Sequence, residues 1–206
     1  MSTAQHDVSM FLGQPPSSDG ADAMFAEELA SNGYVANFMR VWAWRPDVFA
    51  SYVSARGGLV EASSLTDRDL AVLVTSTASQ RGDSYCSLAW GTRLSRLTDE
   101  HTAARLITGE TPDALSAREA ALASWARQVV RDPNATTAEE VESLREAGLD
   151  DRAIFEATVF IALRLAFSTV NDALGASPDK ELVDKVPAAV REAVSYGRRP
   201  MTSPSA

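Results

Sequence analysis

The stretch Asp83-Ser84-Tyr85-Cys86-Ser87-Leu88-Ala89-Trp90 contains the single cysteine of the chain and follows an apolar run from Leu70 to Val74. Asp83 or Ser84 can cap a helix at this point, because a side-chain oxygen at the N-cap accepts a hydrogen bond from an amide of the first turn. We therefore predict a helix that starts here and turns Cys86 towards the interior, facing the helix that precedes it.

Helix signals continue on the N-terminal side of this stretch. Thr66 is a natural N-cap before Asp67-Arg68-Asp69, and the helix that it opens should continue to about Gln80. Pro46 is predicted to open an earlier helix at its first turn. That helix should end at Gly57-Gly58, which the pattern places in a turn.

The C-terminal side is also helical. Ser116–Glu119 and Thr137–Glu140 have the spacing of capping boxes. Asp150 precedes a long segment that is apolar nearly all round, which predicts a helix at the centre of the domain. Thr98 and Ser177-Pro178 are predicted to cap two shorter helices. Strand alternation is absent from the sequence over any useful length, so we predict an all-α fold with about eight helices.

Length and composition are those of an ordinary globular protein, with 206 residues of which 45% are hydrophobic and 23% are charged. This is enough for one sizeable core or for two small related halves. Residues 1–20 are rich in Ser, Gly, Gln and Pro, and we predict a flexible N-terminal arm there. We predict one all-helical domain over residues 21–196 and a disordered tail over residues 197–206.

The net charge of −9 and the pI near 4.7 restrict the partners. A surface this acidic repels phosphate groups, so we expect neither nucleic acid nor a membrane as a partner. The N-terminus has no Lys or Arg before Arg40 and so lacks the charged start of a signal peptide. The apolar stretch from Ala157 to Ala166 contains Arg164 and is too short to span a bilayer. A single cysteine fits a reducing compartment, and we predict a cytoplasmic protein.

The sequence shows no pattern for a metal or a cofactor. His6 and His101 are isolated and have no metal-ligand spacing, and one cysteine cannot form a thiolate cluster. No Gly-rich phosphate loop is present. We predict that the protein has neither a metal nor a cofactor.

Seven segments together show a family resemblance. They are Phe38–Asp47, Tyr52–Gly57, Leu65–Asp69, Tyr85-Cys86, Leu144–Asp150, Ile154–Ala157 and Asn171–Gly175. In this order and spacing they resemble the superfamily of AhpD-like alkylhydroperoxidases and carboxymuconolactone decarboxylases, in its peroxidase-related branch. The resemblance covers about residues 30–196. It implies an all-helical fold that assembles into oligomers, with a site in the helical core near a subunit interface.

The peroxidases of this family carry a Cys-x-x-Cys-x-x-x-His site, which the chain matches in part. Cys86 matches the cysteine that attacks the peroxide. Asp83 stands at the position of the resolving cysteine, Trp90 at that of the histidine, and Ala71 at that of the glutamate that relays protons. The resemblance therefore implies a degenerate site, in which the nucleophile is kept while the resolving thiol and the proton relay are replaced.

We predict Cys86, Asp83 and Tyr85 as catalytic residues, and Trp90 and Ser84 as substrate-binding residues. An ionised Asp83 would raise the pKa of Cys86, whereas a protonated Asp83 could give a proton to the leaving hydroxide. Tyr85 could hydrogen-bond the peroxide, and Trp90 is either core packing or a pocket wall. The alternative for Cys86 is an ordinary small buried side chain, which is common for free cysteine.

Three functions remain open. The first is an antioxidant thiol peroxidase, in which Cys86 alone attacks a hydroperoxide and an external thiol or redox protein reduces the sulfenic acid. The second is a carboxymuconolactone-decarboxylase-like enzyme with Asp83 as the acid/base group. The third is a non-catalytic oligomer that binds a small molecule. The resemblance predicts a homo-oligomer, either a dimer or an assembly of dimers. Trp42 and Trp44 face different sides of a helix, so one of them either meets the partner subunit or packs in the core.

Overall fold

The computed structural model describes residues 10–200, and this part of the chain is helical with no strand. The α-helices are α1 (Asp19–Asn32), α2 (Asn37–Trp42), α3 (Pro46–Glu61), α4 (Asp67–Arg81), α5 (Ser84–Leu97), α6 (Glu100–Ile107), α7 (Ala117–Arg131), α8 (Ala138–Glu146), α9 (Asp151–Ala173), α10 (Lys180–Val183) and α11 (Ala188–Ala193). A short 3-10 helix, Pro133–Ala135, lies between α7 and α8. The all-α prediction is confirmed, and the helices outnumber the predicted eight because several are short.

Most helix starts follow the capping signals in the sequence. Thr66 accepts a hydrogen bond from the amide of Asp69, whose carboxylate in turn accepts one from the amide of Thr66, so the pair forms a capping box. Ser116 with Glu119 and Thr137 with Glu140 do the same. These interactions join residues three positions apart, and the local sequence is therefore sufficient to predict them.

Two predicted helix boundaries are wrong. Gly57-Gly58 lies inside α3. Each glycine costs about 1 kcal/mol in a helix, but the helix continues because Leu59 and Val60 pack against the core. Asp99, one residue after Thr98, caps α6, because its carboxylate accepts hydrogen bonds from two amides of the first turn.

A third prediction, that Ser177-Pro178 caps the last helix, is also wrong. A helix of a single turn, α10, follows Asp179, and α11 is the last helix among the described residues. Asp179 makes no capping bond because its carboxylate is used elsewhere. It accepts hydrogen bonds from the amide of Asn37 and from the hydroxyl of Tyr85.

The most enclosed element is α4, in which every residue from Asp69 to Ala78 is buried. Its side chains enter two core clusters, one shared with α7, α8 and α9 and the other with α5, α6 and α11. The prediction that the long apolar helix α9 occupies the centre holds for one face of it. Phe160 and Ile161 are buried, whereas Phe155 is 66% exposed.

Among the described residues, α9 is the helix with the length and hydropathy to cross a membrane. Half of its most apolar window is buried inside the protein. It also contains Arg164, which is 4% exposed. The location of the protein in the cell stays a prediction.

The described ends of the chain pack on the helical body. Helix α1 begins at Asp19, with Ser18 as its N-cap, and so reaches into the predicted arm. Met10 is buried, and the amide of Phe11 donates to the carbonyl of Leu174 at 2.8 Å. Residues 197–200, from the predicted tail, lie over the start of α5. The remaining parts of the predicted arm and tail, residues 1–9 and 201–206, lie outside the described residues.

Candidate functional site

Cys86 lies in the first turn of α5, as predicted, and is 3% exposed. It packs with Ala78 of α4 and Phe167 of α9. Asp83 is the N-cap of α5, and its Oδ1 accepts a hydrogen bond from the amide of Cys86 at 2.9 Å. The cap is itself buried, with 1% of Asp83 exposed. The sequence therefore brings a thiol and a carboxylate together in the interior.

Two side chains of α9 complete this cluster. Nη2 of Arg164 lies 3.1 Å from Sγ of Cys86. The hydroxyl of Ser168 donates to Oδ2 of Asp83 at 2.5 Å and lies 3.8 Å from the sulfur. Sequence reasoning missed both residues as site members. The available signal was that Arg164 is a charged residue in an apolar helix, which requires a buried partner.

The surroundings keep the thiol protonated at rest. Burial raises the pKa of Cys86 to about 12, and the negative charge of Asp83 acts in the same direction, while the Arg164 guanidinium lowers it. A helix N-terminus favours a thiolate, but here it is outweighed by burial. The thiol needs a proton acceptor before it can react, and Asp83 is the carboxylate beside it.

A cavity of about 420 Å³ opens beside Cys86. Its walls come from α1, α2, α3, α5 and α9, and most of them are apolar or aromatic. The lining residues are Glu27, Glu28, Ser31, Phe38, Met39, Phe49, Tyr52, Val53, Arg56, Tyr85, Cys86, Ala89, Trp90, Arg164 and Phe167. A small molecule in this space would lie beside Cys86.

Trp90 lines this cavity and also packs against the core clusters, so the structure shows both of the positions that the sequence left open. It is half-buried, and the guanidinium of Arg164 lies 5.5 Å from its ring centroid, with that of Arg93 at 5.2 Å. Ala71 is fully buried in a core cluster. The replaced proton relay that the resemblance implied stays a prediction.

Tyr85 presents its ring to the cavity, while its hydroxyl donates to Oδ2 of Asp179. Burial and the charge of Asp179 raise the pKa of Tyr85 well above its ordinary value, so the hydroxyl stays protonated. Burial likewise raises the pKa of Asp179 to about 6, and the hydrogen bond from Tyr85 opposes the rise. This hydroxyl therefore donates its hydrogen bond to a carboxylate, whereas the sequence predicted a hydrogen bond to the peroxide.

Ser84 belongs to a different part of the molecule. Its hydroxyl donates to the carbonyl of Arg198 at 2.8 Å. It lines a second cavity, of about 320 Å³, with the C-terminal strap, which we define as residues 194–200. The strap also places the hydroxyl of Tyr196 2.9 Å from that of Ser87. Ser84 does not line the cavity at Cys86, and a substrate there would not meet it.

Within residues 10–200, no group of three or more His, Cys, Asp or Glu side chains has the arrangement of a metal site. The site that the structure describes consists of a cysteine with charged neighbours and an aromatic cavity.

No protein-family model and no curated protein matches the chain. Solved structures do. A peroxidase-related protein from Ralstonia eutropha JMP134, described as an alkylhydroperoxidase AhpD core, is 20% identical with a TM-score of 0.73, over 87% of this chain and 98% of that one. A peroxidase-related protein from Silicibacter sp. TM1040 is 19% identical with a TM-score of 0.75, over 88% and 97%. The chain has the AhpD-like fold.

A third solved structure with a similar fold is that of the debrominase Bmp8. A variant of it with one cysteine replaced by alanine, in complex with 2,3,4-tribromopyrrole, is 16% identical with a TM-score of 0.67, over 89% of this chain and 95% of that one. Identities this low establish a shared fold and not a shared activity.

Proposed function

We propose that this protein is an AhpD-like thiol peroxidase that reduces an organic hydroperoxide with Cys86 alone and is regenerated by an external thiol. The observation that carries the proposal is the guanidinium of Arg164 at 3.1 Å from the Cys86 sulfur. A cation held at this position stabilises a thiolate and the negative charge that develops on a peroxide oxygen. An ordinary buried cysteine requires no such partner.

The first step moves one proton. The Cys86 thiol, with its pKa raised to about 12, transfers its proton to the carboxylate of Asp83. The thiolate then pairs with Arg164, so the net charge of the buried cluster is the same before and after the transfer. Because the proton transfer adds no net charge to the interior, it avoids the cost of burying one.

The second step breaks the peroxide. The thiolate attacks the terminal oxygen of the hydroperoxide, the O–O bond breaks, and Cys86 becomes a sulfenic acid. The alkoxide that leaves takes the proton from Asp83 and departs as an alcohol, which restores the carboxylate. In this scheme Asp83 acts first as a base and then as an acid.

Regeneration requires a thiol from outside, since Cys86 is the only cysteine of the chain. One external thiol condenses with the sulfenic acid to give a mixed disulfide and water. A second thiol releases Cys86 as a thiol and leaves as a disulfide. Because Cys86 is 3% exposed, the reductant has to be small or has to enter through the cavity.

Stopped-flow mixing of the reduced protein with cumene hydroperoxide and with hydrogen peroxide tests this function. We expect a single sulfenic acid on Cys86, trapped with dimedone and located by mass spectrometry, and turnover when a small thiol is added. Cys86→Ser is the control and should give neither. Absence of a trapped adduct after prolonged exposure to millimolar hydroperoxide would show that Cys86 is not a peroxidatic residue.

A second candidate is thiol-dependent dehalogenation of an aromatic ring, favoured by the aromatic cavity beside Cys86 and by the likeness to a debrominase. The thiolate would take bromine from the ring, the ring carbon would receive the proton from Asp83, and two external thiols would release bromide and leave as a disulfide. Bromide release from 2,3,4-tribromopyrrole in the presence of a thiol, without any reaction with hydroperoxides, would select this function over the first.

A further inference from the structure

The cavity at Cys86 is much larger than hydrogen peroxide requires. Its volume is about 420 Å³, whereas a water molecule, which is close to hydrogen peroxide in size, occupies about 30 Å³ of the liquid. Sites for small organic molecules span about 300–1,000 Å³. The cavity therefore has the size of a site for an organic molecule.

Rings with fixed orientations form much of its wall. The ring centroids of Tyr52 and Phe167 are 5.5 Å apart, with 18° between their planes. The buried Trp42 stacks on both, at 19° to Tyr52 and 9° to Phe167. Phe38 meets Phe167 edge-on, at 68°. Rings held by one another in this way cannot reorient separately, and they offer a rigid apolar wall that suits a flat ring better than a flexible chain.

Two residues of this wall carry a buried donor atom with no hydrogen-bond partner among the described residues. The atoms are the hydroxyl of Tyr52 and Nε of Arg164, and a ligand oxygen reaches them when the side chains that cover them move aside. Burial raises the pKa of Tyr52, although the Arg164 and Arg56 guanidinium groups oppose the rise, so the hydroxyl is protonated and can donate. A buried donor without a partner is destabilising. Both donors therefore favour a ligand that brings an acceptor oxygen.

The charges of the lining are balanced. Two carboxylates, Glu27 and Glu28, stand against two guanidinium groups, Arg56 and Arg164. A ligand with a net charge would lose its water shell and leave the cavity with an unbalanced charge. This balance favours an uncharged ligand.

We propose that the cavity binds an uncharged substrate that carries an aromatic ring, with the ring against Phe167 and Trp90 and an oxygen acceptor at the Tyr52 hydroxyl. The proposal rests on the proposed function in taking Cys86 as the group that reacts with this substrate. Tyr52 then acts as a positioning residue, which holds the oxygen of the substrate near the sulfur.

Binding of unreactive alcohols to the reduced wild-type protein tests the proposal by calorimetry. The probes are 2-phenyl-2-propanol and tert-butanol, two tertiary alcohols that differ by a phenyl group in place of a methyl group, together with benzoate, which has a ring and a negative charge. We expect 2-phenyl-2-propanol to bind at least tenfold more tightly than either of the others. Equal or tighter binding of tert-butanol would show that the cavity does not select an aromatic ring. Equal or tighter binding of benzoate would show that it does not select an uncharged ligand.

A matched pair of variants tests the anchor. Tyr52→Phe keeps the ring and removes the hydroxyl, and it should weaken binding of 2-phenyl-2-propanol by about three- to tenfold. Tyr34→Phe removes a hydroxyl from outside the cavity lining and should leave binding unchanged. An unchanged affinity in Tyr52→Phe would show that the Tyr52 hydroxyl does not bind the ligand oxygen. If the wild type shows no detectable binding of 2-phenyl-2-propanol, the whole proposal is refuted. These alcohols do not react with Cys86, so a failure of the peroxidase reaction would be seen separately.

Discussion

Asp83 has two roles that one substitution can separate. It caps α5 through the amide of Cys86 at 2.9 Å, and in the proposed reaction it also accepts the thiol proton. Asparagine is as good an N-cap as aspartate but cannot take that proton. We expect Asp83→Asn to slow the reaction of Cys86 with cumene hydroperoxide at neutral pH at least tenfold, measured by stopped flow, with little change in the melting temperature.

The opposite outcomes for Asp83→Asn are also informative. A faster reaction would mean that the negative charge of Asp83 inhibits the thiol instead of serving it, since that charge contributes to the raised pKa of Cys86. Unchanged kinetics with both peroxide and iodoacetamide would leave Asp83 with the capping role alone.

The raised pKa of Cys86 predicts a pH profile. With a pKa of about 12 instead of the ordinary 9, the thiolate fraction should increase tenfold per pH unit through pH 10. Alkylation by iodoacetamide, followed by mass spectrometry, should therefore rise without reaching a plateau. A plateau near pH 9 would contradict the burial of the thiol.

The same shift affects stability. The folded state holds the Cys86 proton more tightly than the unfolded state, so this contribution is complete below pH 9 and is lost as the pH rises towards 12. The free energy of unfolding of the wild type should fall more steeply over this range than that of Cys86→Ser, as chemical denaturation at several pH values can measure.

Half of the charged cluster follows from the sequence. The pairing of Asp83 with Cys86 is an N-cap interaction across three positions, and a cap is visible in a local pattern. Arg164 is 78 positions from Cys86, and Ser168 is 85 from Asp83. No local spacing joins residues so far apart, because the packing of α9 against α5 is decided by the whole core.

At the scale of elements, α5 packs closely at Gly91. A Cβ atom there would lie 2.8 Å from Cδ1 of Ile107 and 2.8 Å from Cγ1 of Val190, on α6 and α11. Overpacking costs about 1–3 kcal/mol, and the better helix propensity of alanine returns about 1 kcal/mol. We expect Gly91→Ala to lower the free energy of unfolding by about 1 kcal/mol, measured with urea.

Gly57→Ala is the matched control. It is also a helical glycine, but nothing lies within 4 Å of an added Cβ, so alanine should stabilise the protein by up to about 1 kcal/mol. Equal effects at Gly57 and Gly91 would show that propensity, and not contact with α6 and α11, decides the outcome.

Helix ends were predictable where the cap was used only locally. Thr66, Ser116 and Thr137 bond within their own first turns. The prediction failed near Asp179, whose carboxylate joins α2 and α5 by bonding to Asn37 and Tyr85. A polar side chain that serves distant elements looks the same in the sequence as one that caps a helix.

At the scale of the whole molecule, the predicted homo-oligomer remains a proposal. Trp42 is buried, whereas Trp44 is 42% exposed, and Val48, four residues later in α3, is equally exposed. We expect light scattering to give twice 22.1 kDa or more, and Trp44→Ser to shift the protein towards the monomer. Phe155→Ser, which removes another exposed aromatic side chain (66% exposed), should leave the mass unchanged. A stable monomer of the wild type at micromolar concentration would refute the proposal.

The C-terminal strap has a consequence for how the protein is made. Two serines of the helix that carries Cys86 receive hydrogen-bonding partners from Tyr196 and Arg198, which follow these serines in the chain by 109 and 114 residues. Until the strap has left the ribosome, Ser84 and Ser87 lack these partners. The start of α5 therefore completes its hydrogen bonds late in synthesis, and a chain that stopped before the strap would leave both serines uncovered.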